Sequence, residues 1–329
     1  MLRIESRRIG TIVATALVLA ALPAAAQDWP ARPVTMVIPF APGGALDVVA
    51  RIVGPRLSEI LGKPVIIENV GGAGGMTGGQ RIAKAVPDGY QFVFGGTSTH
   101  AINQTLYKNP LYNAATDFAP VALMIEQPVV LITRPDLPVG NLKEFIAYTK
   151  ANQAKMQYGS SGAGSTVHLA CSLLNAKLGV QVTHIPYRGT APATQDMLAG
   201  RLDYMCPLSA SATPQIESGQ VKVITVLAKD RSPVLPNLAS AFEQGLADLD
   251  TRGWNGFFLP KGTPAAIVQR LNEAASATID TPSVRERLRE IGVSTVAPER
   301  RSPDYLQKFV EAEIEKWAVP IRNAGVTAE

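Results

Sequence analysis

Short apolar runs alternate with helix-like segments in two separate parts of the chain. The first set opens with Val34 to Pro39, continues with a helix from about Ala45 to Leu61, and ends with Tyr90 to Gly95. The second set runs from Met156 to Tyr158 through to Val221 to Leu227. Such alternation predicts parallel βαβ units in which helices cover a sheet. We therefore expect an α/β protein with two αβ lobes.

Two extended stretches separate these sets from the rest of the chain. Residues 118–136 form one such stretch with Pro128 inside it, and residues 251–262 form the second. Both are places where a strand can leave one sheet and enter another. After the second stretch the pattern predicts three helices, at Pro264 to Ile279, Pro282 to Ile291 and Pro303 to Ala324. We expect a discontinuous first lobe (27–125 and 252–329), a second lobe (126–251), two crossing strands and a cleft between the lobes.

The first residues have the pattern of an export signal. Three arginines precede the short apolar run Ile12 to Leu22, and Ala24-Ala25-Ala26 has the small-x-small form of a cleavage site. The alternative, a buried N-terminal helix, is disfavoured because Pro23 and the alanines end the pattern where a cleavage site belongs. We expect residues 1–26 to be a signal peptide cleaved near Ala26, and the remaining chain to reside in the periplasm.

The charge balance excludes several classes of partner. Removing the signal segment lowers the formal net charge from +4 to +2, and the basic residues are scattered among acids. A nucleic-acid binder would concentrate them in a patch or stripe. The apolar run Ile12 to Leu22 is too short for a permanent membrane anchor, and the sequence has no other apolar run of about 18 residues. We therefore expect no nucleic-acid partner and no transmembrane role. We also expect a monomer.

Cys171 and Cys206 are the only cysteines. An even pair in an oxidising compartment is compatible with a disulfide bond, and two buried free thiols are the alternative. The sequence leaves this open. His100, His168 and His184 show no metal-ligand spacing with either cysteine, so no metal site is predicted.

Four loops combine glycine with amides or hydroxyls at a predicted helix start. They follow strands, and ligands in αβ lobes bind at the carboxyl ends of strands, where helix N-termini bind anions. The longest glycine-rich loop, residues 69–79, matches neither the dinucleotide fingerprint nor the P-loop, so we interpret it as a strand-to-helix turn and expect no cofactor. The four candidate loops are residues 39–47, 95–100, 158–168 and 186–193.

Several single residues have two interpretations. Ser165 and His168 share a helix face, but no Gly-x-Ser-x-Gly or orienting acid accompanies them, so N-capping by Ser165 is favoured over hydrolase chemistry. Asp47 lies in a first helical turn, where capping is the default role and shaping of the neighbouring loop is compatible with it. Arg188 either binds a ligand carboxylate or forms a surface ion pair. Trp254 either lines the cleft or packs the hinge, and packing is favoured.

Six segments in this order resemble the Bug family, the extracytoplasmic solute receptors of tripartite tricarboxylate transporters. The resemblance covers essentially the whole chain after the signal segment. It implies a type II periplasmic-binding-protein fold that closes on a small organic carboxylate and delivers it to membrane transporter subunits. The segments are WPARPVTMVIPFAPGGALDVVAR, GKPVIIENVGGAGGMTGG, PDGYQFVFGG, YGSSGAGSTVHLA, VTHIPYRGTAPA and RSPVLPNLASAFEQGL.

The resemblance also implies a set of ligand-binding residues, which hold a carboxylate partly through backbone amides and water. Many members have an acid near the position of Cys206-Pro207, and its absence here favours a plain carboxylate over an amino acid. A periplasmic sensor for a membrane partner remains an alternative function. The implied residues are Phe40, Ala41, Pro42, Gly43, Gly44, Ala45, Asp47, Gly96, Thr97, Ser98, His100, Ser160, Ser161, Gly164, Ser165, Thr166, His168, Arg188, Gly189, Thr190 and Ala191.

Overall fold

The computed structural model describes residues 29–232, 234–246 and 249–327. The predicted signal segment, residues 1–26, lies outside the described residues. Within the described part, no helix combines the length and apolar character needed to cross a bilayer.

The strands form two sheets. A six-stranded sheet has the order β11-β4-β10-β3-β1-β2, and a five-stranded sheet has the order β7-β6-β8-β5-β9. In chain order the strands are β1 (Val34–Ile38), β2 (Val65–Asn69), β3 (Gln91–Gly96), β4 (Phe118–Gln127), β5 (Val130–Thr133), β6 (Gln157–Ser160), β7 (Thr183–Pro186), β8 (Tyr204–Met205), β9 (Lys222–Val226), β10 (Gly253–Pro260) and β11 (Ser294–Thr295).

The helices cover both faces of the two sheets. In chain order they are α1 (Ala45–Leu61), α2 (Met76–Ala83), α3 (Asn103–Leu106), α4 (Leu142–Asn152), α5 (Thr166–Leu178), α6 (Thr190–Leu198), α7 (Ser209–Glu217), α8 (Ala265–Asp280), α9 (Pro282–Glu290) and α10 (Pro303–Asn323). A single π-helical turn, Ser98–Ile102, leads into α3.

The chain crosses between the sheets twice. Strand β4 belongs to the six-stranded sheet and β5 to the five-stranded sheet, with Pro128 between them, as the sequence predicts. After β9 the chain returns, and β10 inserts antiparallel between β3 and β4. These two αβ lobes with two crossings confirm the predicted fold class. The residue limits of the lobes stay a prediction.

Burial follows the sequence pattern strand by strand. Val34, Met36 and Ile38 of β1 enter the cluster that contains α1, whereas Val37 points to the opposite cluster with Met76. Successive side chains of a strand alternate between faces, so a continuous apolar run indicates a strand that is covered on both sides. The predicted helices at 45–61, 264–279, 282–291 and 303–324 begin and end within about two residues of the observed bounds.

Two helices of the second lobe were not predicted. Helix α4 begins with an N-cap in which Asn141 Oδ1 accepts from the Glu144 amide (3.0 Å), and Glu144 Oε2 accepts from the amide of Gly140, the residue before the cap (2.7 Å). Helix α7 has small and polar residues with no apolar period. It forms because Ala210 is buried in the cluster around α1, which no local pattern reveals.

The structure forms the disulfide bond between Cys171 of α5 and Cys206, which follows β8. The sulfur atoms lie 2.09 Å apart and the Cα atoms 5.5 Å apart. Both residues are fully buried, and they tie the helix that starts at the cleft to the centre of the second sheet.

Removing both cysteines should destabilise the protein. Closing a loop of 35 residues' separation restricts the unfolded chain, so we expect Cys171→Ala/Cys206→Ala to lower the free energy of unfolding by about 3–4 kcal/mol. Urea denaturation of oxidised wild type, reduced wild type and the variant measures this. Equal midpoints for oxidised wild type and the variant would contradict a stabilising bridge.

Candidate ligand-binding site

A small cavity lies between the two lobes. Both lobes and the second crossing strand contribute to it. Its walls are formed by Phe40, Gly44, Ala45, Leu46, Thr97, Ser98, Ser161, Thr166, Val167, Thr190, Leu208, Gly253, Trp254 and Asn255. Among the described residues, none that lines the cavity carries a charged side chain.

Helices α1, α5 and α6 begin at this cavity. Gly44 caps α1, and the first residues of α5 and α6, Thr166 and Thr190, also line the wall. The first amides of a helix have no intrahelical acceptor, and the helix dipole places partial positive charge there. Their convergence creates a site for an anion that needs no basic side chain.

Four hydroxyl groups complete the polar part of the wall. The side chains of Ser98, Ser161, Thr166 and Thr190 line the cavity and make no hydrogen bond to any described residue. By contrast, Thr97 Oγ1 already accepts from the Trp254 amide at 2.8 Å. The four unpaired hydroxyls are therefore available to a ligand.

Asp47 holds the loop before α1 in shape. Its Oδ2 accepts from the Gly43 amide (2.9 Å) and from Arg51 Nε (2.9 Å), and its Oδ1 accepts from Asn69 Nδ2 (3.1 Å). Burial would raise the pKa of this carboxyl, but the hydrogen bonds and the charge of Arg51 outweigh burial and hold the pKa below its ordinary value. Asp47 is thus an ionised loop-shaping residue behind the cavity wall.

A stack of aromatic side chains supports the 160–168 loop from inside the second lobe. The rings of His168 and His184 lie 4.1 Å apart, and Ser160 Oγ lies 2.6 Å from His184 Nε2 while it accepts from the Gly162 amide. Burial lowers the pKa of His168 to about 4, and burial together with the charge of His168 lowers the pKa of His184 to about 3. Both imidazoles are neutral at pH 7, so this stack shapes the loop without adding charge to the site.

The Ser–His arrangement does not present a nucleophile to the cavity. Ser160 is fully buried and does not line the wall. Ser165 Oγ caps α5 by accepting from the His168 amide (3.1 Å), which is the capping role favoured by the sequence. His100 is also fully buried, stacked on Phe258 at 3.7 Å, and burial lowers its pKa to about 3.

The sequence-predicted ligand residues fall into three groups. Those at the wall are Phe40, Gly44, Ala45, Thr97, Ser98, Ser161, Thr166 and Thr190. Those at the lobe contact or in neighbouring grooves are Ala41, Gly43, Arg188, Gly189 and Ala191, and Pro42 is exposed in the same loop as Ala41 and Gly43. Those behind the wall, where they shape its loops, are Asp47, Gly96, His100, Ser160, Gly164, Ser165 and His168. Direct binding by any of them stays a prediction.

Six wall residues were not among the predicted ligand set. Leu46 and Val167 directly follow predicted residues along the chain. Leu208 comes from the second lobe, just before α7, and Gly253 and Asn255 come from the second crossing strand, β10. Trp254 both packs against the protein interior and lines the cavity. Its Nε1 donates to Glu313 Oε2 at 2.8 Å, which supports the favoured packing role, and part of the residue also faces the cavity.

The two lobes touch across the mouth of the cavity. The Ala41 amide donates to the Arg188 carbonyl oxygen (3.2 Å), and the Tyr107 hydroxyl donates to the Ala163 carbonyl oxygen (2.8 Å). A Cβ atom on Gly74 would clash with that same Ala163 carbonyl, so glycine is required for this approach. The Arg188 side chain lines an open outer groove instead of the cavity. These contacts enclose the site.

Comparisons with known proteins agree with this arrangement. The model of the tripartite tricarboxylate transporter family receptor matches residues 49–326. The structure of the periplasmic binding protein BugD is similar, with a TM-score of 0.88 and 37% identity over 92% of this chain and 100% of that chain. MatC from Rhodopseudomonas palustris with bound malate gives 0.86 and 39%, over 89% and 100%. Rpa4515 from R. palustris with adipate gives 0.86 and 35%, over 91% and 99%.

Replacing Asp47 tests the loop network. Asp47→Asn removes charge-assisted hydrogen bonds, so we expect the free energy of unfolding at pH 7 to fall by about 1–3 kcal/mol. The folded-state pKa is lowered, hence this stabilisation is present above the unfolded pKa of about 4 and is lost as pH falls through the folded pKa. The difference between variant and wild type should shrink below about pH 4.

Urea denaturation at several pH values provides the measurement. The matched control is Asp304→Asn, an exposed first-turn aspartate of α10, for which we expect a change within about 0.5 kcal/mol. Equal effects of the two substitutions would contradict the role assigned to Asp47.

Proposed function

Since the chain belongs to the tripartite tricarboxylate transporter receptor family, we propose that it captures a small organic carboxylate by lobe closure in the periplasm and delivers it to membrane subunits of such a transporter. Family membership confirms the resemblance to Bug proteins noted in the sequence. The coarser conclusion, a solute-binding receptor of this type, is the premise for the rest.

One observation carries the choice of a carboxylate. The N-termini of α1, α5 and α6 meet at a partly open cavity whose wall, among the described residues, has no charged side chain. Amide and hydroxyl donors bind the oxygens of a carboxylate, and the absence of an acidic side chain avoids repulsion. The malate and adipate of the two Rhodopseudomonas palustris proteins are also carboxylates, which supports the same class of ligand here.

Closure accounts for affinity without a salt bridge. Enclosing the anion removes competing water, and hydrogen bonds to it become stronger in a less polar surrounding. The contacts of Tyr107 with Ala163 and of Ala41 with Arg188 form only when the lobes meet. Release then requires only that the lobes separate, which suits a protein that must pass its cargo on. Binding of this kind involves no chemical step.

Calorimetry on the chain without residues 1–26 tests the proposal. Protein unfolded and refolded to remove carried-over ligand is titrated with mono-, di- and tricarboxylates, and with matched uncharged amides. Saturable binding of at least one carboxylate and none of its amide supports the proposal. Folded protein that binds no carboxylate would contradict it.

A bulky residue at Gly44 should abolish binding. Gly44 lines the cavity beside Thr190, so the side chain in Gly44→Leu would occupy space between the first turns of α1 and α6. We expect roughly a 100-fold loss of carboxylate affinity, about 2.7 kcal/mol, in a folded protein. Gly140→Leu, in an exposed turn of the second lobe, is the matched control and should bind as wild type. Retained affinity in folded Gly44→Leu would contradict the site.

Loss of the Tyr107 hydroxyl should weaken the closed state. One hydrogen bond contributes about 0.5–1.5 kcal/mol, so Tyr107→Phe should raise the dissociation constant roughly 2- to 10-fold. The control is Tyr148→Phe on α4, whose hydroxyl bonds no described residue. Calorimetry gives the constants, and small-angle scattering of the unliganded variant should show a more open form. An unchanged constant would contradict a closure role for this bond.

A further inference from the structure

The wall of the cavity differs sharply between its hinge side and the rest. The hinge wall is defined here as Leu208, Gly253, Trp254 and Asn255. Gly253 to Asn255 lie in the crossing strand β10, and Leu208 forms a bridge with Val129, just after the first crossing. These residues therefore lie where the two lobes are joined.

Most polar side-chain groups of the hinge wall are already paired within the protein. Asn255 Nδ2 donates to the Gly95 carbonyl oxygen (3.2 Å), and Asn255 Oδ1 accepts from Gln127 Nε2 (3.3 Å). The Trp254 indole N–H donates to Glu313. Among the described residues, the hinge wall therefore offers a ligand at most the second N–H of the Asn255 amide as a side-chain donor.

Leu208 adds an apolar surface at the same place. Its side chain packs directly on the backbone of Gly253. The approach is so close that a Cβ atom at position 253 would overlap Leu208 Cδ2. Leu46 and Val167 supply further apolar surface to the cavity. The unpaired hydroxyls of the site belong instead to Ser98, to Ser161 and to the first residues of α5 and α6.

We propose that the ligand is a monocarboxylate with an apolar body, either aliphatic or aromatic, whose body lies against the hinge wall. This inference rests on the proposed function, because it assumes that a carboxylate occupies the helix N-termini. A second carboxylate placed at the hinge wall would lose its water and find at most one Asn255 N–H to replace it, which is unfavourable. Transfer of an apolar group from water to that position makes the free energy of binding more favourable.

Matched acid pairs test the inference on the unmodified protein. In each pair one acid ends in an apolar group and the other carries a second carboxylate at the same place: hexanoate against adipate, and 4-methylbenzoate against terephthalate. We expect the monocarboxylate to bind at least tenfold tighter in at least one pair, and the better pair distinguishes aliphatic from aromatic cargo. Dicarboxylates that bind as tightly or tighter in both pairs would overturn the inference while leaving carboxylate capture intact.

Failure of the proposed function gives a different result. If none of the four acids and no other carboxylate binds the folded, ligand-free protein, both the inference and carboxylate capture are overturned. If only other acids bind and they are dicarboxylates or polar acids, the inference is overturned but carboxylate capture stands. If those acids are monocarboxylates with an apolar body, the inference is supported.

A substitution at Leu208 checks the location of the apolar body. Leu208→Asn places an amide at the hinge wall, so the dissociation constant of the preferred monocarboxylate should rise at least fivefold and the ratio between the paired acids should move toward the dicarboxylate. Leu111→Asn, at an exposed leucine of the first lobe, is the control and should leave both constants unchanged. An unchanged ratio in folded Leu208→Asn would overturn the placement, and the acid pairs on wild type decide the class of ligand if this variant does not fold.

Discussion

Unpaired backbone amides at three helix starts are the constraint on which this structure depends. Such groups need an acceptor, and the fold brings α1, α5 and α6 together from two lobes so that one small anion can satisfy several of them. Because these donors are neutral, the proposed anion would be held without a permanent salt bridge. The surrounding side chains serve this arrangement: Asp47 fixes the loop before α1, and Ser160 with His184 fixes the loop before α5.

Glycine makes the enclosure possible. At the mouth, Gly74 lets the first lobe approach the Ala163 carbonyl closely, and in the hinge wall Gly253 leaves room for Leu208. The hinge itself is a buried polar link in which Gln127 of the first crossing strand bonds Asn255 of the second. The same few contacts thereby join the two lobes and shape the cavity.

Much of this was predictable from the sequence because the signals are local. Apolar runs such as Val34 to Ile38 indicate covered strands, glycine and hydroxyl residues mark the loops at their ends, and Pro128 marks a crossing. The sequence did not predict α7, whose burial depends on contact with α1, or the hinge wall, since Leu208 and Asn255 are distant in sequence and meet only after both crossings form. Helix α4 could have been predicted, because Asn141 is a favoured N-cap residue and Glu144 follows it in the first helical turn.

The central claim is that a carboxylate anion binds to neutral donors at the helix starts. Its most direct test is the pair of dissociation constants, measured by calorimetry at pH 7, for one bound acid and for the primary amide of that acid. The two molecules have nearly the same shape and differ in charge. The account predicts that the amide binds at least roughly 100-fold more weakly, about 2.7 kcal/mol. Equal affinity would contradict it, because the cavity would then select for shape and not for an anion.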